Sequence, residues 1–500
     1  MSNSKEVVII GSGLGGLACG TILAKNGYHV TVLEQGTQIG GCLQCFSRRG
    51  ARFETGMHFV GSAAKGQTLD FLLNYLEVRK DISLSPLNPL AYDIVSLAGQ
   101  NFCFANGREA YLEQMSQYFP KEKDNLNKYF TLVENVAGAS SLHSLKTADS
   151  DEVLNMKYQM VSINEVIDGI FNDELLKNVV VGNLPLYAAE KDKTPFATHA
   201  FITDFYNQSA FRIVGGSDVV AVSLKNTIEK HGGRVLTNHK VVKIVCDETK
   251  ASGVVSNQDS FFEADYVISD AHPEKTLEMI DSKLIRQSFR NRIQSIPQTV
   301  GGFSVYLHFN ENTVPYMNSN FYSYDGVSPW NCEYYTNEEW PKGWLYMHFC
   351  NSGNPKYAVS GVILSYMQYS DLKPWFGTKS GRRGDEYEKF KTEKAEKLLA
   401  SVERRFPGLK QSIKHYYTST PLTYYDYTST KDGSMYGIAK DVSLGSACRV
   451  PHRTRIPNVY QTGQNINSHG ILGVIVGSIV TCSEFLTAET IYKQIREANL

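Results

Sequence analysis

The residues of this sequence whose types and spacing can do chemistry stand close to its start. Gly11, Gly13 and Gly16 form G-x-G-x-x-G between the apolar run EVVII and the helical stretch LACGTILAKNG, with Gly15 inside the same turn. In such a turn the first glycine permits the tight bend, the second lets a pyrophosphate approach the backbone, and the third lets helix pack on strand. A second strand, HVTVLE, ends in Glu34, 23 residues after Gly11. A carboxylate there can accept hydrogen bonds from both ribose hydroxyls of a dinucleotide. The order strand, glycine turn, helix, strand, acid therefore predicts a dinucleotide site with its phosphates at the helix N-terminus. Glu34 disfavours a phosphorylated ribose, which leaves NAD or FAD. Soon after comes GGCLQC, from Gly40 to Cys45. Its C-x-x-C spacing suits a redox dithiol, half of a zinc site, or small residues packed around a cofactor.

The elements that must position these residues belong to an ordinary globular chain. Its 500 residues, 42% hydrophobic, can bury a large core and predict two or three domains, discontinuous ones included. A formal net charge of −1 gives no electrostatic footprint for nucleic acid or for an anionic membrane surface. The start, MSNSKEVVIIGSG, lacks a signal-peptide pattern, so a cytosolic location is expected, and nine scattered cysteines read as reduced thiols. The longest late apolar run, Ile471 to Val480, is too short to span a bilayer. Val220, Leu224 and Ile228 share a helical face that Gly232 and Gly233 end, and YVIS, Tyr266 to Ser269, reads as a buried strand. Segments 120–136 and 385–410 read as amphipathic helices, the second ending before Pro407, with charges on solvated faces.

The segment QIGGCLQCFSRRGARFETGMHF, with its second glycine pair, resembles the FAD-dependent phytoene desaturase and amine oxidase superfamily. So do FRIVGGSDVVAVSLKNTIEKHGGRVLTNHKVVKIVCDETKASGVV in the middle and NVYQTGQNINSHGILGVIVGSIVTCSEFL near the end. The resemblance implies an α/β fold: a Rossmann-like FAD-binding domain from residues 1–75, 211–275 and 421–500, with an inserted mixed α+β substrate domain from 76–210 and 276–420. It implies that Gly40 and Gly41 line the far side of the pyrophosphate, with Arg49 also among the cofactor-binding residues. Gly56, Met57 and His58 approach the flavin ring, and the backbone at Val242 faces the adenine. Gly463, Gln464, Gly470, Ile471, Leu472, Gly473 and Val474 supply the closing turn and helix N-terminus, although Gln464 stands where relatives often carry an acid. The spacing of Gly470, Gly473 and Gly477 leaves one helix face bare, either for close helix packing or for backbone N–H groups beneath the flavin.

IGGCLQCF, FETGMHFVG, TPLTYYDYTSTKDGSMYGI and YQTGQNI resemble most closely the branch with retinol saturase and the carotenoid isomerases. The implied activity is FAD-dependent saturation or desaturation of a carbon–carbon bond in an apolar isoprenoid or polyene, with hydride transfer at flavin N5. His58 is a candidate proton donor, or a histidine merely hydrogen-bonded beside the cofactor, and Tyr436 is a second donor or a substrate wall. Redox-neutral isomerisation, amine oxidation and FAD-free binding of prenylated proteins are the alternatives. The intact fingerprint and Glu34 oppose the last. FAD-dependent disulfide reductases space their cysteine pair more widely and carry an NADPH domain, whereas no second strand-associated G-x-G-x-x-G occurs here. Cys19, Cys103, Cys246, Cys332, Cys350, Cys448 and Cys482 are isolated, so no metal site is expected. Cys42 and Cys45 are therefore read as small residues near FAD. Electrons would come from a transiently bound NAD(P)H or another carrier. The aromatic-rich stretch from Tyr316 to Phe349 is expected to be core packing or part of a tunnel for an apolar substrate, with weak peripheral membrane association.

Overall fold

EVVII and HVTVLE form neighbouring parallel strands, Glu6–Ile10 and His29–Leu33, buried except at their first residues. Continuous apolar runs of this kind suit strands covered on both faces. In the computed structural model, which describes residues 5–140, 145, 151–350 and 356–500, these strands belong to a five-stranded parallel sheet. Its order is Arg234–Leu236, His29–Leu33, Glu6–Ile10, Tyr266–Ser269 and Val459–Gln461. The fingerprint helix Leu14–Lys25 packs between Asp218–Lys230 and the closing helix Gly470–Cys482. Val220, Leu224 and Ile228 are buried as their spacing predicts, and the chain leaves that helix through Gly232 at φ +85°. An antiparallel meander, Val241–Cys246, Ala251–Ser256 and Phe261–Glu263, follows.

A seven-stranded sheet runs Ile413–Ser419, Gly301–Phe309, Ser360–Met367, Gly343–Phe349, Asn320–Tyr324, Asp93–Leu97 and Gln100–Phe104. Only the pairing of Asn320–Tyr324 with Asp93–Leu97 is parallel. Side chains alternate across a strand, so the aromatic stretch divides between two faces. Phe321, Trp344 and Tyr346 join the apolar cluster of helix Asp385–Arg405, which is core packing. Tyr322, Tyr324, Leu345 and Met347 join the opposite cluster, built with helices Lys123–Gly138 and Phe196–Gln208. The charged helix ends before Pro407, but not all its charges are solvated. Lys394 is buried, its ammonium bonded to Asn337 Oδ1 at 3.0 Å and lying 4.6 Å from the Trp340 ring centre.

A small antiparallel sheet links the neighbourhoods of the two large ones: Val60–Gly61, Ala210–Ile213 and Leu84–Pro86. Arg212 in its middle strand is buried. It donates to the His58 carbonyl at 3.0 Å and to Asn320 Oδ1 at 2.9 Å. The segment carrying His58 is thereby fastened to the seven-stranded sheet.

Candidate active site at the glycine loops

The fingerprint turn, the Gly40–Gly41 turn and the Gly463 turn converge. A Cβ on Gly15 would lie 2.8 Å from Gly463 Cα, one on Gly41 would lie 3.3 Å from Gly13 Cα, and one on Gly16 would meet the Gly11 carbonyl at 2.1 Å. Gly11, Gly40, Gly41 and Gly463 have φ of +94°, +109°, +55° and +90°, which glycine adopts without strain. Glu34 stands at the edge of this cradle, accepting from Ser12 N at 3.0 Å, Ser12 Oγ at 2.6 Å and Gly36 N at 2.7 Å. Its N–H donates to the Leu236 carbonyl and its carbonyl accepts from the His239 N–H, which brings the exit of strand Arg234–Leu236 beside it. Val242 follows at an irregularity in the meander ladder, so its backbone is free of regular strand pairing.

The second glycine segment leads into a hairpin, Cys45–Arg48 with Ala51–Glu54, and then to Gly56, Met57 and His58. A Cβ on Gly56 would lie 3.0 Å from Cys42 Cβ, and Tyr424 Oη donates to the Thr55 carbonyl at 2.8 Å. Met57 is half-buried against the parallel-sheet core. His58 Nδ1 lies 3.4 Å from Glu54 Oε2, an ion-pair distance without hydrogen-bond alignment, and neither atom has another hydrogen-bond partner. The His58 ring is 5.8 Å from the Phe349 ring, at the inner end of the aromatic stretch. Cys42 faces Gly56, whereas Cys45 faces Gly216 and Ser217, with its Sγ 3.6 Å from Ser217 Oγ. Desolvation pushes both thiols up to about 11, so they are protonated and poor nucleophiles near neutral pH.

At the closing turn, Gly470 has φ +75° and opens a helix whose N-cap, His469, makes no capping bond with its side chain. Ile471, Gly473 and Val474 are buried, Leu472 is half-buried, and Gln464 is half-buried beside Gly463. The glycine face is covered by the chain's own preceding turn: a Cβ on Gly473 would meet Ser468 Cβ at 2.7 Å, and one on Gly477 would meet Asn467 Cβ at 3.3 Å. Asn467 Nδ2 and His469 Nε2 are buried without partners. The His469 ring packs 4.7 Å from Tyr436, whose hydroxyl donates to the Pro185 carbonyl at 3.0 Å. Burial pushes the Tyr436 phenol well up, so it stays protonated. Arg49 lies away from these turns. It sits at the hairpin turn with φ +50°, its guanidinium 3.1 Å from His415, in an outer surface pocket of about 440 Å³ at the edge of the large sheet.

Motif and spacing do not single out Glu54, Arg212, His469 or Asp270. Asp270 alone carried a usable signal, because it directly follows a buried parallel strand, and ligands of such sheets bind beyond the strands' carboxyl ends. The glycines leave a cradle that any side chain would fill, the fingerprint helix aims its N-terminus into it, and Glu34 stands at ribose distance along the sequence. These residues fit FAD. Among the described residues, no group of three or more His, Cys, Asp or Glu side chains could hold a metal ion.

Known proteins resemble this chain over nearly its whole length. All-trans-retinol 13,14-reductase of Homo sapiens is 27% identical over 98% of this chain and 87% of its own. Prolycopene isomerase 1, chloroplastic, of an Oncidium hybrid cultivar is 23% identical over 97% of this chain and 84% of its own. An oxidoreductase from Methanosarcina mazei superposes with a TM-score of 0.66 at 16% identity, over 96% of this chain and all of that one, which shows the shared fold. The model of the flavin containing amine oxidoreductases matches residues 14–481, from the first residue of the fingerprint helix to the last turn of the closing helix, and the chain belongs to that family.

Proposed function

We propose that this flavoprotein is an oxidoreductase acting on a carbon–carbon double bond, or its saturated counterpart, in an apolar isoprenoid or polyene. The observation that carries the reading is the inner face of the seven-stranded sheet. Tyr306, Tyr322, Leu345, Met347, Leu364 and Tyr366 form one apolar cluster against which Tyr436 and Phe349 pack. The hydroxyls of Tyr322 and Tyr366 are buried there with no hydrogen-bond partner. The wall is mostly aromatic and aliphatic, its charged groups being the buried Asp93, which accepts from Asn320 and Asn183, and Arg212 over the Phe349 ring, and its extent suits a long apolar molecule. The names of the retinol and prolycopene relatives support the same class.

Residues 1–75, 211–275 and 421–500 would carry FAD, and 76–210 and 276–420 the substrate. Bound FAD supplies hydride transfer at N5. His58 would exchange a proton with the substrate, Glu54 would hold the ring and compensate its charge, and Arg212 would fix the backbone that carries it. Tyr436 serves as a wall, since Pro185 engages its hydroxyl. Reducing equivalents would come from a transiently bound reduced nicotinamide or another carrier.

The decisive experiment is a visible spectrum of the purified protein followed by anaerobic mixing of its reduced flavin with lipophilic polyenes. Reoxidation by long isoprenoids is expected. Reduction of the oxidised flavin by short amines, with no response to isoprenoids, would move the assignment to amine oxidation. Turnover of a polyene without consumed reductant would identify an isomerase.

A further inference from the structure

Asp270 begins the loop that leaves strand Tyr266–Ser269, the neighbour of the fingerprint strand. Its N–H donates to the Ile10 carbonyl at 2.8 Å, which holds its backbone level with the start of the glycine turn. Its carboxyl lies among three cradle glycines: a Cβ on Gly13 would be 2.4 Å from Oδ2, and Cβ atoms on Gly15 and Gly463 would be 2.5 Å and 2.2 Å from Oδ1. The acid thus lies at the N-terminus of the fingerprint helix, where a dinucleotide's two phosphates approach the backbone.

We propose, resting on the flavin reading above, that Asp270 holds the cofactor's pyrophosphate as a neutral carboxylic acid, donating its O–H to a phosphate oxygen. Two negative phosphates and a carboxylate cannot share this enclosure cheaply, whereas a protonated carboxyl offers them a donor. The surroundings already favour the neutral form. The charged and titratable groups acting on Asp270 are the Glu34 carboxyl at the end of the second strand and, in the Gly40–Gly41 turn, the Cys42 thiol. The fingerprint helix opposes them with the Gly16 amide and the positive end of its dipole, both of which favour ionisation. Burial outweighs that amide, Glu34 reinforces burial, and the carboxyl is pushed up to about 7. Arriving phosphates raise it further, so above that value the protein must take up a proton as it binds flavin.

The test is dilution of the flavin-loaded protein between pH 6 and pH 9, with released FAD read by its fluorescence and protons counted with an indicator dye at pH 8. The wild-type dissociation constant should be flat below about pH 7 and rise toward tenfold per pH unit above it, with close to one proton lost per FAD released. Asp270→Asn keeps the shape and a donor, so its constant should vary little with pH and be about tenfold tighter than wild type at pH 8.5. A wild-type constant independent of pH, or release without a proton, would overturn the proposal with the flavin reading intact. The same slope in Asp270→Asn would overturn it equally. A protein that holds no flavin at any pH would overturn the flavin reading and this proposal with it.

Discussion

Cys42 and Cys45 show how one residue type at one spacing is settled by its surroundings. Each thiol is pushed up to about 11, and they face different neighbours, Gly56 and Ser217. At pH 8 about one thiol in a thousand would be thiolate. Alkylation by iodoacetamide should therefore be slow at pH 8 and accelerate as pH rises toward 11. A Cys42→Ser, Cys45→Ser double variant should keep its flavin and most of its turnover, and complete inactivation with flavin still bound would restore the dithiol. His58 is the opposite case, because its Nδ1 finds only Glu54 within reach. His58→Gln should retain flavin, by its visible spectrum, and lower kcat by about 10²- to 10⁴-fold. Unchanged kcat would leave His58 as packing beside the cofactor.

At the scale of elements, the cradle depends on how closely turns approach. Gly13→Val would drive a side chain against the Asp270 carboxyl and into the phosphate path. Loss of flavin from a protein with unchanged circular dichroism is expected. Arg212 joins two elements that local sequence does not connect, the His58 loop and the strand carrying Asn320. Arg212→Leu would leave that carbonyl and amide oxygen without their donor, each at a cost of about 1–3 kcal/mol. The urea midpoint should fall accordingly, and a midpoint equal to wild type would show that the fastening contributes nothing.

For the whole molecule the question is how an apolar substrate reaches the flavin. No helix among the described residues is long and apolar enough to cross a membrane. The substrate would then enter from a bilayer surface or a carrier, and affinity should rise with apolar chain length by about 0.8 kcal/mol per CH₂ until the site is filled. Association with liposomes should be weak and largely insensitive to salt, as expected of apolar contact. Binding to anionic vesicles that 0.5 M salt abolishes would point instead to an electrostatic surface.

The sequence by itself determined the parts whose physics is local. Gly11, Gly13 and Gly16 between an apolar run and a helix, Glu34 after the second strand, and the Val220, Leu224 and Ile228 face all depend on neighbours within one turn or one strand, so the spacing specifies them. Tertiary structure decided what depends on distant partners. Arg48 and Arg49 look alike in sequence, yet the hairpin turn carries Arg49 out to His415 on a strand 366 residues away. The aromatic stretch reads as one block, and only strand pairing showed that Phe321 and Trp344 face a helix while Tyr322 joins the opposite cluster, against which Tyr436 packs. Lys394 lies in a run of solvated charges and is nevertheless buried over Trp340. Glu54 beside His58, and Asp270 between Gly13 and Gly463, follow the same reason: burial and charge are properties of the surrounding space, which the chain's order along its length does not contain.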